Sequence, residues 1–144
     1  YEEIAYEIKT LENYNENIGM GMYGELKNPM IEKEFLSCLK NKLNIKFLKH
    51  SKHLGKKVKK VAVLGGSGSF GIEKAIEVGV DVFITSDLKY HNFFEADNKI
   101  VLVDIGHYES ENHIKLIIKE FLNKKLPNFT LLLSEENVNP VKYY

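Results

Sequence analysis

The chain has 144 residues, of which 44% are hydrophobic and 28% charged, and this length and composition predict one domain with a self-supporting core. Lysine supplies all 20 basic residues and balances the 20 acidic ones, so the chain has no net charge that would attract nucleic acid or an anionic membrane. It also has no arginine, whose planar guanidinium binds phosphate through two hydrogen bonds. Its apolar runs are too short for a transmembrane helix, and a single cysteine, Cys38, excludes a disulfide framework and favours the reducing environment of the cytoplasm.

Hydrophobic periodicity predicts the elements in chain order. Strands are expected at 1–11, 18–26 (or an extended glycine-rich loop), 45–48, 58–64, 80–85, 100–103 and 129–133, and helices at 31–43, 72–78, 88–96 and 109–124. The strands at 58–64, 80–85 and 100–103 lack polar alternation, which is typical of strands covered on both faces. We therefore predict an α/β fold, with a largely parallel or mixed sheet and helices on both faces, as part of a larger fold.

A glycine-rich stretch follows the strand at 58–64. Gly66, Gly68 and Gly71 have the spacing of a dinucleotide-binding fingerprint, and Asp87 lies about 20 residues further on, where such a fold places an acidic residue. The same glycines also serve an ordinary tight turn from strand to helix. The turn is the simpler interpretation, because a complete dinucleotide fold needs more chain than follows here.

A second motif follows the strand at 100–103 and contains His107 and Glu111. These residues are four apart, so on a helix they project from one face and could share a metal ion. Imidazole and carboxylate together suit Zn, Mn or Fe. Acidic residues in a first helical turn also complement the helix dipole without any metal.

Asp87 and His91 form a third candidate group, after the strand at 80–85. Asp87 either caps the helix that follows or lines a cleft together with His91 and His107. Ligands of open α/β sheets collect at the carboxyl ends of the strands. We therefore predict that three successive strand ends, carrying Gly/Ser, Asp/His and His/Glu, converge on one crevice.

These motifs together resemble a known family, the dinuclear-metal-centre hexameric proteins, also called GTP cyclohydrolase I type 2 homologues. The segments that carry the resemblance are 19–26, 61–69, 85–91, 104–111 and 139–144. The family implies an α/β fold, two adjacent divalent metals in each subunit and a toroidal homohexamer. His107 and Glu111 would be its C-terminal metal ligands. The cleft-lining residues would be Gly66, Ser67, Gly68, Ser69, Asp87, Lys89, His91 and Asp104.

The resemblance also implies ligands that this sequence lacks. Family members take a pair of adjacent histidines and an aspartate from an N-terminal half, whereas no two histidines are adjacent here. Residues 1–14 resemble the end of a domain that one branch of the family inserts between its halves. Residues 15–144 would then be the C-terminal α/β portion of the metal-centre domain, with an incomplete site.

The resemblance implies a metal-dependent hydrolase with a phosphorylated or nucleotide small molecule as substrate. One alternative is a non-catalytic, metal-binding hexamer that acts as a scaffold or regulatory protein. A second is a dinucleotide-binding oxidoreductase, which only the glycine pattern favours.

Overall fold

The computed structural model describes residues 18–136 and 138–142. The predicted strand at 1–11, and the boundary assigned at residue 14, lie outside these residues. The strands are β1 (Met22–Ile31), β2 (Lys49–His50), β3 (Lys57–Ser67), β4 (Val82–Ser86) and β5 (Val101–Asp104). The α-helices are α1 (Glu32–Leu43), α2 (Ile72–Val78), α3 (His107–Glu111) and α4 (Ile114–Lys125), and 3₁₀ turns cover Ser69–Gly71 and Tyr90–Ala96.

Across the described residues the strands form one mixed sheet in the order β1-β3-β4-β5-β2. The three central strands are parallel, while β1 pairs antiparallel with β3 and β2 pairs antiparallel with β5. The central strands therefore end side by side at one edge of the sheet. The predicted α/β fold with a mixed sheet is confirmed.

Helices cover both faces of this sheet. Phe35 and Leu36 of α1 pack with Val103 on one face, while Ile72 of α2 packs with Leu102 on the other. Leu102 and Val103 are adjacent in β5 and both are completely buried. Side chains alternate between the faces of a strand, so an uninterrupted apolar strand requires cover on both sides.

The predicted strand at 129–133 is wrong. Residues 129–133 form no regular strand, and Phe129 and Leu132 are largely exposed. A strand is completed by hydrogen bonds to a neighbour, and no strand in the described part of the chain lies beside this segment. Apolar composition alone could not reveal that.

Other boundaries differ because backbone pairing overrides side-chain pattern. The predicted strand at 45–48 is displaced to β2, and β1 continues through Pro29 to Ile31, since an edge strand tolerates a missing N–H. The predicted helix at 88–96 is a 3₁₀ turn, held by bonds such as Asn92 N–H to the Lys89 carbonyl. The helix expected at 109–124 is divided into α3 and α4.

Within 18–136 and 138–142, every helix is too short or too polar to span a membrane.

Candidate functional site

His107 contacts two carboxylates at the carboxyl edge of the sheet. Its Nδ1 lies 2.6 Å from Oδ2 of Asp87, and its Nε2 lies 3.2 Å from Oε2 of Glu111. His107 and Glu111 are the two ends of α3, whereas Asp87 follows β4 with a left-handed φ of 57°. All three side chains are about half exposed, so the group is open to solvent.

The two carboxylates favour the protonated form of His107. The hydrogen bond to Asp87 is the largest factor that raises the pKa of His107 above its usual value; partial loss of hydration acts against it, and the charges of Asp87 and Glu111 add to the increase. If Nδ1–H donates to Asp87, a neutral ring presents a lone pair from Nε2 toward Glu111. Two acceptors then face each other, and either a proton or a cation between them relieves the repulsion.

Gly66 brings the backbone of β3 against this group. Its φ is 69°, and a Cβ at this position would lie 2.7 Å from Oε1 of Glu111. The Gly66 N–H donates to Oγ of Ser110 at 2.9 Å, and its carbonyl accepts from the Ser86 hydroxyl at 2.5 Å. The ends of β3, β4 and α3 are thereby tied together at one point.

Gly68 has a different steric reason to be glycine. A Cβ there would overlap Oγ1 of Thr85, and it would approach Cδ2 of Leu64 to 2.7 Å. Ser67 is exposed and pairs in register with Ser86, and Ser69 begins the 3₁₀ turn before α2. These close approaches account for Gly66 and Gly68 without a bound pyrophosphate.

Asp104 is buried at the end of β5, with 2% of its side chain exposed. Its Oδ2 lies 2.8 Å from Nζ of Lys49, which faces it across the β2–β5 pair. Beside it is a cleft of about 390 Å³, which Asp87, Asp104 and His107 line together with Lys49 and Tyr108. The ends of β4 and β5 therefore contribute to one cleft as predicted, whereas the residues predicted to line it from the end of β3 lie outside its lining, namely Gly66, Ser67, Gly68 and Ser69.

Lys89 and His91 are placed differently. Both are exposed and lie outside the lining of that cleft. The His91 ring makes an edge contact with Tyr90 at 5.4 Å between centroids. For Asp87 the sequence left open a helix cap or a cleft position, and its carboxylate contacts His107.

Sequence reasoning missed Ser110 and Lys49. Ser110 lies inside the motif at 104–111, but only the fold shows that it bridges Gly66 and the His107 carbonyl. Lys49 belongs to a lysine-rich stretch in which no local pattern distinguishes it from its neighbours. Over the part of the chain that the structure describes, no three His, Cys, Asp or Glu side chains are arranged to hold a metal ion by themselves.

Comparison with known proteins identifies relatives over nearly the whole chain. A family model described as Duf34/NIF3 (NGG1p interacting factor 3) matches residues 3–140. A Staphylococcus epidermidis protein named GTP cyclohydrolase 1 type 2 homolog is 39% identical over 137 residues, which are 91% of this chain and 37% of that protein. A Bacillus subtilis protein of the same name is 36% identical over 152 residues, covering 99% of this chain and 39% of the relative.

A solved structure gives the same result at the level of the fold. The crystal structure of a Bacillus cereus protein related to NIF3 matches with a TM-score of 0.75 and 31% identity, over 100% of this chain and 41% of the other. The chain thus spans less than half the length of these relatives. The family expected from the motifs is confirmed, and this chain belongs to the Duf34/NIF3 (NGG1p interacting factor 3) family.

Proposed function

We propose that this chain supplies His107 and Glu111 as part of a divalent-metal centre that other residues of the intact protein complete. The observation that carries the proposal is the 3.2 Å separation of His107 Nε2 and Glu111 Oε2, while Asp87 occupies the other ring nitrogen. A carboxylate that holds the second nitrogen of a ligating histidine is the usual outer-shell arrangement of metal sites. Imidazole with carboxylate suits Zn, Mn or Fe.

Two donors fit a metal ion but do not enclose it. A structural zinc site takes four protein ligands and a catalytic one takes three. The relatives are more than twice as long as this chain, since it covers 37–39% of them, and that length leaves room for further ligands. Two ions in each subunit and a hexameric assembly of the intact protein are part of the same proposal.

The reaction we propose is metal-dependent hydrolysis of a phosphorylated or nucleotide small molecule. Divalent ions held by His107, Glu111 and further residues of the intact protein would supply activation of water and polarisation of a phosphoryl or ring group. In this chain Asp87 orients the His107 ring, and Lys49 places a positive charge beside the cleft. The name GTP cyclohydrolase 1 type 2 homolog, borne by the relatives, makes GTP the first substrate to test.

Metal titration of the intact protein tests the site. We expect calorimetry with Zn²⁺ or Mn²⁺ and elemental analysis to show bound metal in the wild type and its loss in His107→Ala. His113→Ala is the matched control, because it removes an imidazole from the start of α4 and should keep the metal. Retention of full stoichiometry and affinity by His107→Ala would refute the site.

Turnover separates the hydrolase from a scaffold. We expect metal-dependent hydrolysis of GTP, or of another phosphorylated compound, by the wild type and its loss in His107→Ala. A fully metal-loaded wild type without turnover of any such compound would instead support a non-catalytic, metal-binding hexamer.

A further inference from the structure

Asp104 lines the cleft, and its carboxylate also accepts two hydrogen bonds from the backbone. Its Oδ2 accepts from the Leu88 N–H at 3.0 Å, and its Oδ1 accepts from the Gly106 N–H at 3.0 Å. Lys49 adds the ion pair on Oδ2. Both carboxylate oxygens are therefore engaged, and the side chain is almost completely buried.

The two backbone partners of Asp104 each lie next to a member of the Asp87–His107 pair. Leu88 directly follows Asp87, and Gly106 directly precedes His107. Asp87 and Gly106 both have left-handed φ angles, of 57° and 88°, so neither loop follows the ordinary path of a strand end. One side chain thus fixes the loop after β4 relative to the loop after β5.

We propose that Asp104 is the positioning residue of the Asp87–His107 pair and that Lys49 is the cation that pairs with its buried carboxylate. A buried charge is costly unless it is paired and hydrogen-bonded, and Lys49 with the two amides meets both conditions. Because its oxygens are engaged, Asp104 acts through Asp87 and His107 and is no metal ligand itself. The effect on metal binding rests on the proposed function, whereas the effect on the His107 ring does not.

Asp104→Asn tests this proposal with almost no change in shape. A carboxylate offers an acceptor to both loops, whereas an amide has one acceptor oxygen and one donor nitrogen. Since both partners are N–H donors, asparagine can hold only one loop. We expect the ¹⁵N signals of the His107 ring, in metal-free intact protein labelled at histidine, to lose the signature of the hydrogen bond to Asp87. We also expect the affinity for Zn²⁺ to fall by about 10- to 100-fold, as on loss of other outer-shell groups.

Glu32→Gln is the matched control. Glu32 is 7% exposed and accepts the Leu54 and Gly55 N–H groups on its two oxygens, at 2.9 and 3.3 Å. It lies beside the start of β3, at the opposite end of the sheet from His107. This variant should lower the thermal unfolding temperature as Asp104→Asn does, yet leave the ring signals and the Zn²⁺ affinity at wild-type values.

The outcomes separate the two proposals. Ring signals and Zn²⁺ affinity at wild-type values in Asp104→Asn would overturn the positioning role, even with a lowered unfolding temperature. Altered ring signals in a protein whose wild type binds no metal would support the positioning role and refute the metal site. If Asp104→Asn does not fold, Lys49→Met replaces it, because the Lys49 side chain is 64% exposed. We expect the same changes on a smaller scale, and wild-type ring signals there would overturn the proposal.

Discussion

Gly66 is the residue whose replacement should separate backbone strain from damage to the site. In Gly66→Ala the left-handed φ of 69° costs roughly 1–2 kcal/mol for a residue with a Cβ. The new methyl group would also lie 2.7 Å from Oε1 of Glu111 and push that carboxylate away from His107. We expect urea unfolding to show the loss of stability, and titration of the intact protein to show weaker metal binding.

Gly55 provides the control for that experiment. Its φ of 73° imposes the same backbone strain, but a methyl group at this position would meet no atom within 4 Å. Gly55→Ala should therefore lose similar stability and bind metal as the wild type does. Equal metal affinity in both alanine variants would show that Gly66 has no role in placing Glu111.

The pair of Asp87 and His107 predicts a pH dependence in the metal-free chain. The Asp87 hydrogen bond raises the pKa of His107 above the ordinary value of 6.5. A raised pKa in the folded state adds stability that is complete below the unfolded value and is lost as the pH rises through the folded value. We expect the stability gap between wild type and Asp87→Asn to be wider at about pH 5.5 than at about pH 8.5, on either side of the ordinary histidine range.

Urea unfolding in the presence of a chelator measures that gap at both pH values. A gap that widens as the pH rises would contradict the assignment. Metal binding should show the opposite trend, because a metal must displace the proton from His107 and its affinity therefore increases with pH.

Among the elements, the junction between β3 and α2 depends on packing at Gly68. Its φ of −120° is open to any residue, so backbone strain plays no part. A Cβ would collide with Thr85 of β4 and with Leu64, and overpacking of this kind costs about 1–3 kcal/mol. We expect Gly68→Ala to lower the free energy of unfolding by that amount. Gly24→Ala on β1, where a Cβ meets open space, should change it little.

At the scale of the molecule, the residues that the structure describes leave the apolar side of α4 uncovered. None of the α4 residues is buried, and Ile117 and Phe121 are 61% and 58% exposed. Exposed apolar patches bind apolar dyes and promote association. We expect the chain to bind an anilinonaphthalene dye and to self-associate as its concentration rises, and Ile117→Lys with Phe121→Lys to reduce both effects.

Ser37→Lys with Asn41→Lys is the control for added charge. These residues are exposed on α1 at the same spacing of four. Sedimentation should then show association close to that of the wild type. Equal association of both double variants would mean that net charge, and not the face of α4, governs it.

The sequence by itself determined the features that depend on neighbours along the chain. The apolar runs of β3, β4 and β5 and the helical period of α1 are visible in the local sequence, and these elements lie close to where they are predicted. His107 and Glu111 meet because four residues make about one helical turn. Membership of the family could also be predicted from the sequence, because each of its motifs is a continuous segment of the chain.

Only the tertiary structure decided which distant residues meet. Asp87 reaches His107 because β4 and β5 are parallel neighbours, and Lys49 reaches Asp104 because the two-residue strand β2 pairs with β5. A periodic pattern shows which face a side chain occupies but not which strand lies beside it. The strand wrongly expected at 129–133 and the overlooked Lys49 have this same cause, since pairing in a sheet is a property of two segments and not of one.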